Sequence, residues 1–358
     1  MAARDRGGIF VSATVSRPDS GVVVRYSKPL DIRSHKQDWL NIEYLRSKQQ
    51  ETLSFCQAVL SNQNRISIDS CYICRSKGRE PFATTYGVPY FRCSECGHVY
   101  AGVVLPPEEL SKYYLQHYFA GGVYVDERQL DRRKYMVYEP KVRFVMDLLR
   151  GSRRKWLDVG AGNGSIVACA GELGFDAAGL EPGAPAIEFA QRTLGVKLFP
   201  HTIEEELQRS GSGSYDVVSF LMVLEHVSNP VEQVSVAAEL LSSGGLLVVE
   251  VPTAGSLSAT LDGLFPNQGL RQLVGSHIML YSVQSATRLV EDCGCQTESM
   301  WFMGQDIFNL FIHLALDNPT FLKTPMADFL LDNNNALQEL VDRSEFCDEV
   351  VIVARKIP

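Results

Sequence analysis

Ten residues near the middle of this chain constrain its fold more than any other segment. Residues 156–165 have the sequence WLDVGAGNGS, in which an apolar strand is followed by glycines at positions 160, 162 and 164. Glycine allows a tight turn at the carboxyl end of a strand and lets a ligand approach the main chain closely. The small apolar residues at 166–173 suit a helix that packs on a sheet. The segment predicts a strand–turn–helix unit with a ligand at its turn, although a turn that merely needs glycine fits the same residues.

A second short strand is predicted at 175–182, and Glu181 stands at its end. An acidic side chain about 20 residues past a glycine turn is placed to hold the hydroxyl groups of a ribose, in nicotinamide dinucleotides and in S-adenosylmethionine (SAM) alike. The dinucleotide fingerprint is Gly-x-Gly-x-x-Gly. Here the third glycine comes one residue early, at 164, and this spacing favours SAM.

The rest of the chain from residue 151 onward alternates predicted strands with predicted helices. This is the pattern of a doubly wound parallel sheet of the α/β class. Further strands are predicted at 196–201, 215–227, 244–252, 297–303 and 349–355. Helices are predicted at 39–61, 138–150, 305–316 and 325–342, and a brief strand at 21–25.

Four of these segments follow one another in a recognisable order: LDVGAGNG at 157–164, Glu181, YDVVSFLMVLEHV at 215–227 and GGLLVVEVP at 244–252. Together they resemble the class I SAM-dependent methyltransferases, and most closely the branch whose fourth strand ends in Leu-Glu-His-Val. The resemblance implies a Rossmann-like sheet of seven strands, with the antiparallel last strand inserted between strands 5 and 6. It also implies SAM as the cofactor.

The resemblance further implies which residues contact SAM. Thr202 and Ile203, after the third strand, would line the adenine by main-chain and apolar contacts. Glu181 would accept hydrogen bonds from the ribose hydroxyls. The full predicted set is Asp158, Gly160, Ala161, Gly162, Asn163, Glu181, Thr202, Ile203 and Leu221.

The nine cysteines of the chain carry a second strong pattern. Four of them form two Cys-x-x-Cys pairs separated by eighteen residues: Cys71, Cys74, Cys93 and Cys96. This spacing is typical of a four-thiolate zinc site, and four thiolates complete the tetrahedron, so the zinc is expected to be structural. Reduced core cysteines and an iron–sulfur site are the alternatives. A disulfide framework is not expected, because the N-terminus lacks the apolar core of an export signal.

The length of 358 residues favours one large domain with a smaller one. We predict an N-terminal extension with a helix at 1–66, a zinc module at 67–105, a helical linker or lid at 106–150 and the methyltransferase domain at 151–358. The linker contains Tyr113-Tyr114 and His117-Tyr118-Phe119. These residues resemble the linker of bacterial relatives that carry a cysteine module with two Cys-x-x-Cys turns, called knuckles.

The composition of the chain indicates mainly which kinds of partner to expect. The formal net charge of −8 argues against a nucleic-acid partner, which normally requires a basic face. No apolar run reaches the ~20 residues that cross a bilayer, so we expect no membrane partner and a cytoplasmic location. A small-molecule acceptor is the expected partner. The sequence contains no signal for an oligomeric state.

Two histidines are the candidate catalytic residues. His226 follows the fourth strand, whose carboxyl end faces the ligand crevice of a doubly wound sheet, and its ordinary pKa near 6.5 suits a general base. The resemblance adds that sugar C-methyltransferases with a cysteine module use a histidine at this position. His277 lies in a loop that often borders the acceptor in this fold. Glu225 and His226 also suggest the divalent-metal pattern Glu-x-x-Glu-His, but Met222 replaces its first glutamate, so no metal requirement is expected.

Three hypotheses for function follow. The first is methyl transfer to oxygen or carbon of a small polar acceptor, with a sugar or nucleotide-sugar of polysaccharide or natural-product biosynthesis as the leading substrate class. The second is O-methylation of a phenolic or quinone-like acceptor. The third is a non-catalytic scaffold with the SAM fold, against which the intact glycines and Glu181 argue.

Overall fold

The computed structural model of the chain describes residues 14–16, 21–113, 127–152 and 154–357. The predicted linker motif at 117–119 lies outside these residues, as does Tyr114. Among the described residues, no helix has both the length and the apolar character needed to cross a bilayer.

The described strands belong to three sheets. In chain order they are β1 (Thr14–Ser16), β2 (Val23–Tyr26), β3 (Ile66–Ser67), β4 (Arg79–Thr85), β5 (Val88–Cys93), β6 (Val99–Ala101), β7 (Val103–Val104), β8 (Lys155–Val159), β9 (Asp176–Leu180), β10 (Leu198–Phe199), β11 (Tyr215–Leu221), β12 (Leu241–Pro252), β13 (Met279–Leu280), β14 (Cys295–Met303) and β15 (Glu349–Lys356).

The described helices are, in chain order, α1 (Ile32–His35), α2 (Ile42–Ser61), α3 (Pro107–Tyr113), α4 (Glu127–Arg133), α5 (Glu139–Leu148), α6 (Ser165–Glu172), α7 (Ala184–Phe189), α8 (Ile203–Ser210), α9 (Pro230–Leu240), α10 (Leu257–Leu264), α11 (Val283–Asp292), α12 (Asp306–Asp317), α13 (Pro325–Asp332) and α14 (Asn334–Arg343). Short 3₁₀ turns span Gln37–Leu40 and Pro319–Lys323, and π-helical turns span Lys134–Tyr138 and Ala190–Leu194.

The largest sheet has nine strands in the order β1-β2-β14-β15-β12-β11-β8-β9-β10. Strands β10, β9, β8, β11 and β12 are parallel, and β15 is antiparallel to both β12 and β14. The predicted fold class is therefore confirmed, with the antiparallel last strand between the fifth and sixth strands of the methyltransferase sheet. Trp156 and Leu157 are neighbours on β8, and each is buried in a different apolar cluster. This is expected for a sheet that is covered on both faces.

Two further strands from the N-terminal segment extend this sheet beyond the predicted seven. β2 pairs in parallel with β14, and Arg25 lies opposite Trp301. The Arg25 guanidinium lies 4.3 Å from the Trp301 ring centroid, and the Trp301 indole donates a hydrogen bond of 2.9 Å to the Ser27 carbonyl. The N-terminal segment is thus part of the sheet that carries the glycine turn.

The cysteine-bearing segment forms a four-stranded sheet in the order β13-β6-β5-β4. Its fourth strand, β13, comes from the segment after α10 and pairs antiparallel with β6. The Ala101 amide adds a hydrogen bond of 2.9 Å to the Ile278 carbonyl. The loop of the large domain therefore completes the small sheet.

The helix predicted at 325–342 is divided into α13 and α14. Asn333 separates them with backbone angles of φ −102° and ψ 11°. It belongs to the run Asp332-Asn333-Asn334-Asn335, and its side-chain amide donates to the Phe329 carbonyl at 2.9 Å. Asparagine side chains compete with the helical hydrogen bonds of the backbone, which explains the break.

Candidate active site

The glycine turn lies between β8 and α6, and its three glycines have φ values of 72°, 54° and 78° in chain order. A Cβ atom on Gly160 would come within 2.6 Å of Val223, and one on Gly164 within 2.9 Å of Val196. Packing therefore requires glycine at these two positions. A Cβ atom on Gly162 would meet no atom within 4 Å among the described residues. Its main chain is open for the close approach of a ligand.

Glu181 lies directly after β9, and its buried carboxylate faces this turn. One carboxylate oxygen accepts a hydrogen bond of 2.9 Å from the Gly162 amide, and the other accepts one of 2.7 Å from the Gly183 amide. Burial raises the pKa of Glu181 to about 7, and the two amide hydrogen bonds oppose that rise. Each oxygen keeps acceptor capacity for one hydroxyl, which fits the predicted contact with a ribose.

Asp158 and Asn163, two other predicted cofactor residues, have internal partners. Asp158 accepts a hydrogen bond from the Ser219 hydroxyl, and Ser219 in turn accepts one of 2.7 Å from the Trp156 indole. Burial raises the pKa of Asp158 to about 7. The side-chain oxygen of Asn163 accepts from the amide of Ser165, at 3.1 Å, and from its hydroxyl, at 2.7 Å. The contacts of Asp158 connect β8 to β11, and those of Asn163 hold Ser165, the first residue of α6, in place.

The predicted adenine residues begin α8. Thr202 forms a capping box with Glu205, and the Ile203 side chain is buried. The neighbouring His201 ring lies 2.6 Å from a carboxylate oxygen of Glu206. Thr202 is therefore held by its helix cap, and its role toward adenine stays a prediction. Leu221, the last residue of β11, is half-buried and lies opposite Glu250 of β12.

The loop after β11 begins with an unusual backbone conformation. Met222 has a φ of 58°, in the left-handed region that residues with a side chain rarely adopt, and its amide donates to the Glu250 carbonyl at 3.0 Å. The Glu250 carboxylate forms a buried ion pair of 2.6 Å with Lys141 of α5. Strained residues cluster at functional sites, and this one sets the path of the loop toward Glu225 and His226.

The structure brings Glu225, His226 and His277 together. The imidazole rings of His226 and His277 have centroids 4.9 Å apart, and His226 Nε2 lies 3.7 Å from a Glu225 carboxylate oxygen. One candidate ligand atom from each of the three residues lies within 4.8 Å of the others. The sequence identified each histidine separately, whereas their contact with each other and with Glu225 comes from the loop that returns at 275–281.

Burial governs the protonation of this cluster. The His226 Nδ1 atom lies 2.9 Å from the Ser276 carbonyl, so Nδ1 carries the proton and Nε2 the lone pair. Burial lowers the pKa of His226 to about 4, and it lowers that of His277 well below its ordinary value. Within the described chain, neither carboxylate oxygen of Glu225 has a hydrogen-bond partner. Burial, with a smaller effect of Glu250, raises the pKa of Glu225 well above its ordinary value.

The four cysteines of the two knuckles also converge. The Sγ atoms of Cys71 and Cys96 are 3.6 Å apart, and those of Cys74 and Cys93 are 3.4 Å apart. All four sulfur atoms lie within 4.8 Å of one another. A tetrahedral zinc with Zn–S bonds of about 2.3 Å separates its sulfur ligands by about 3.8 Å. The four side chains therefore have the spacing of a single tetrahedral metal site.

Comparison with known proteins identifies a family model and partial relatives. A family model described as a methyltransferase domain matches residues 130–300. A ubiquinone biosynthesis O-methyltransferase of Caulobacter sp. (strain K31) is 34% identical over 113 residues, which are 30% of this chain and 42% of that protein. The protein of the same name from Pectobacterium carotovorum is 34% identical over 97 residues, 26% of this chain and 40% of that protein. The chain thus spans less than half the length of these curated relatives.

A solved structure extends over more of the chain at lower identity. It is phosphoethanolamine N-methyltransferase 2 of Haemonchus contortus in complex with SAM, 15% identical, with a TM-score of 0.46 over 73% of this chain and 62% of that chain. The family match, together with the strand order and the glycine turn, shows that this chain carries a class I SAM-dependent methyltransferase domain.

Proposed function

We propose that this protein transfers the methyl group of SAM to an oxygen or carbon atom of a small polar acceptor. The observation that carries the proposal is the contact between the glycine turn and the loop with the histidines. Gly160 packs against Val223, three residues before His226. A cofactor held at the turn by Glu181 would therefore lie beside an imidazole whose Nε2 has a lone pair.

The chemistry needs little more than this arrangement. The acceptor atom attacks the methyl carbon while the bond from that carbon to the sulfonium sulfur breaks, so the enzyme mainly positions two reactants in line. A hydroxyl or an acidic carbon must also lose a proton, and His226 Nε2 would accept it. With a pKa of about 4, the His226 ring is neutral at physiological pH. The His277 ring packs against it, with the two ring centroids 4.9 Å apart.

The substrate class remains part of the proposal. A sugar or nucleotide-sugar is our leading choice, because relatives with a similar cysteine module act on sugars. A phenolic or quinone-like hydroxyl is the second candidate, and the names of the partial relatives from Caulobacter and Pectobacterium favour it. Both acceptors need the same proton removal. A scaffold that binds no SAM is the third, and the open main chain at Gly162 argues against it.

The test combines binding and turnover. Titration calorimetry with SAM separates an enzyme from a scaffold, and mass spectrometry of a cell extract incubated with labelled SAM identifies the methylated product. With that product in hand, His226→Ala should lower the single-turnover rate by about 10²–10⁴-fold and leave SAM affinity unchanged. A variant with a wild-type melting temperature and wild-type turnover would eliminate His226 as the base and point to His277.

We also propose that the four-cysteine cluster holds one structural zinc ion. The distances between the sulfur atoms support a tetrahedral ion, and four thiolates leave no open coordination position for a substrate. Zinc would then link the two knuckles through their sulfur atoms, in addition to backbone hydrogen bonds such as the one of 3.0 Å from the Ser94 amide to the Gly78 carbonyl.

A further inference from the structure

The loop that carries His277 is held by the side chain of a tyrosine from the small sheet. Tyr90 lies on β5, three residues before Cys93, and only 1% of its surface is exposed. Its hydroxyl accepts a hydrogen bond of 3.0 Å from the Gly275 amide and donates one of 3.1 Å to the His277 carbonyl. A buried tyrosine hydroxyl usually finds a hydrogen-bond partner. This one has two, and both belong to the same tripeptide.

Ser276 lies between these two contacts, and its carbonyl faces the proposed base. The carbonyl accepts the hydrogen bond of 2.9 Å from His226 Nδ1. A hydrogen bond at one ring nitrogen decides which nitrogen of a neutral imidazole carries the proton. The peptide group of the Ser276 carbonyl is thus held on both sides by one hydroxyl, and it sets where the lone pair of His226 lies.

The rest of this loop is held by other contacts. The Ile278 amide donates to the Glu225 carbonyl at 2.9 Å, and the Ala101 amide of β6 donates to the Ile278 carbonyl, also at 2.9 Å. Gly275 has a φ of 73°, and a Cβ atom there would come within 2.6 Å of the Cys56 sulfur on α2. The loop therefore lies against α2, β6 and the residue before His226, so a change at Tyr90 acts on a closely packed segment.

A second buried tyrosine of the small domain offers a comparison. Tyr72 lies in the first knuckle, and within the described residues its hydroxyl has no hydrogen-bond partner. Replacing either tyrosine by phenylalanine removes one buried oxygen atom. At Tyr90 the same change also removes both contacts to the loop with His277. The two substitutions therefore separate the loss of a buried hydroxyl from the loss of its hold on the loop.

We propose that Tyr90 is a positioning residue: its hydroxyl holds the Ser276 carbonyl where His226 donates to it, so that Nε2 of the base keeps its lone pair. The inference rests on the proposed function and deepens it, because it makes the small cysteine sheet part of what prepares the base for proton removal. Tyr90 is buried and acts through Ser276 rather than on a substrate.

The first measurement reads the tautomer of His226 and needs neither SAM nor an acceptor. Nitrogen-15 NMR of the full chain with labelled histidine distinguishes a protonated ring nitrogen from one with a lone pair, and His226→Gln identifies the His226 signals. At neutral pH the ring is uncharged, since its pKa is about 4. The wild type should show the Nδ1–H tautomer alone. Tyr90→Phe should show a mixture of both tautomers, and Tyr72→Phe should match the wild type.

The second measurement is the single-turnover rate of methyl transfer. Misplacement of a reacting group by about 1 Å can cost about a hundredfold in rate. Tyr90→Phe should therefore lower the rate by up to about a hundredfold and leave SAM affinity unchanged, whereas Tyr72→Phe should keep the wild-type rate. Melting temperatures report folding. A merely structural role of Tyr90 would lower the melting temperature and leave the tautomer of His226 as it is in the wild type.

Each outcome decides one claim. A wild type with the proton at Nε2, a Tyr90→Phe protein with Nδ1–H alone, or a mixture in Tyr72→Phe as well would overturn the positioning role. Mixed tautomers in Tyr90→Phe with wild-type turnover would keep the hydrogen bonds as described and reject His226 as the base, which counts against the proposed function instead. If Tyr90→Phe does not fold, Gly275→Ala replaces it, because its Cβ atom must move the same peptide away from Cys56. A single tautomer in that variant would also overturn the proposal.

Discussion

At the scale of single residues, the position of Glu181 leads to the most specific prediction. Its carboxylate is preset by two backbone amides and needs no movement to accept two hydroxyls. Glu181→Ala should weaken SAM binding by about 1.5–3 kcal/mol, roughly tenfold to a hundredfold, because charged hydrogen bonds are lost. Calorimetry measures the affinity. Glu188→Ala, an exposed glutamate on α7, is the control, and unchanged affinity in a folded Glu181→Ala protein would refute the assignment.

The raised pKa of Glu181 predicts a pH dependence of the same binding. The carboxylate is ionised above its pKa of about 7 and protonated below it, and the ionised form accepts hydroxyls better. SAM affinity should therefore fall as the pH drops below 7, by up to about tenfold per unit. Titrations between pH 5.5 and 8.5 check this. Glu181→Gln should show a shallower fall of SAM affinity with falling pH. The part of the fall that remains would come from Asp158, whose pKa is also raised. An identical slope of affinity against pH in both proteins would contradict the prediction.

Glu225 allows a test of divalent-ion binding. The buried Glu225 carboxyl has no hydrogen bond within the described residues and lies beside two imidazoles, so the three residues offer three candidate ligand atoms. They do so although Met222 stands where the metal pattern has its first glutamate. If they bind Mn²⁺, an excess of about 100 times the dissociation constant adds about 2.7 kcal/mol of stability and raises the wild-type melting temperature by several degrees. Manganese prefers oxygen and imidazole to thiolates, so the cysteines should not respond.

In that experiment Glu225→Gln should lose the shift, whereas Glu239→Gln, an exposed glutamate on α9, should keep it. A wild type whose melting temperature does not respond to Mn²⁺ would leave His226 as a metal-free base, as the sequence predicts.

The sequence marked Glu225 and His226 by a motif and His277 by the loop in which it lies. It did not predict that the three side chains would meet, since their contact depends on how the loop at 275–281 returns to the sheet.

At the scale of elements, the two cysteine knuckles bring four sulfur atoms within 4.8 Å of one another from separate turns. Cys93 ends β5, and Cys96 lies three residues before β6. Protein purified without added metal should contain one zinc per chain by elemental analysis, and Cys74→Ser should lower that content sharply. Cys293→Ser, at a half-buried cysteine outside the cluster, should not. Iron with visible absorbance, or zinc near zero in the wild type, would be incompatible with the proposal.

Regular hydrophobic patterns explain which elements the sequence predicted well. The strands β8, β12 and β15 are apolar runs beside glycine or acidic residues, and their assignment needs only local information. The strand predicted at 215–227 ends at Leu221, because Met222 leaves the extended conformation with a φ of 58°. The pairing of β2 with β14 places Arg25 over Trp301, a contact between residues far apart in the chain that no local pattern predicts. The break at Asn333 depends on a side-chain hydrogen bond rather than on periodicity.

At the scale of the whole molecule, β13 joins the cysteine sheet to the reaction site. His277 lies two residues before β13, and β13 pairs with β6. If the four cysteines hold zinc as proposed, removing it with a chelator should therefore increase hydrogen exchange in β6 and β13 and leave β12 and β15 protected. Mass spectrometry of exchanged peptides measures this. Unchanged protection of β13 after the metal is lost would show that the two regions are independent.

The same pairing has a consequence for synthesis on the ribosome. About half of the chain lies between β6 and β13, so the cysteine sheet leaves the exit tunnel long before its fourth strand is translated. Until then, β6 presents an open edge, and open edges invite pairing with other chains. A nascent chain stalled before residue 279 should need a chaperone at this edge, and one stalled after β13 has emerged should not.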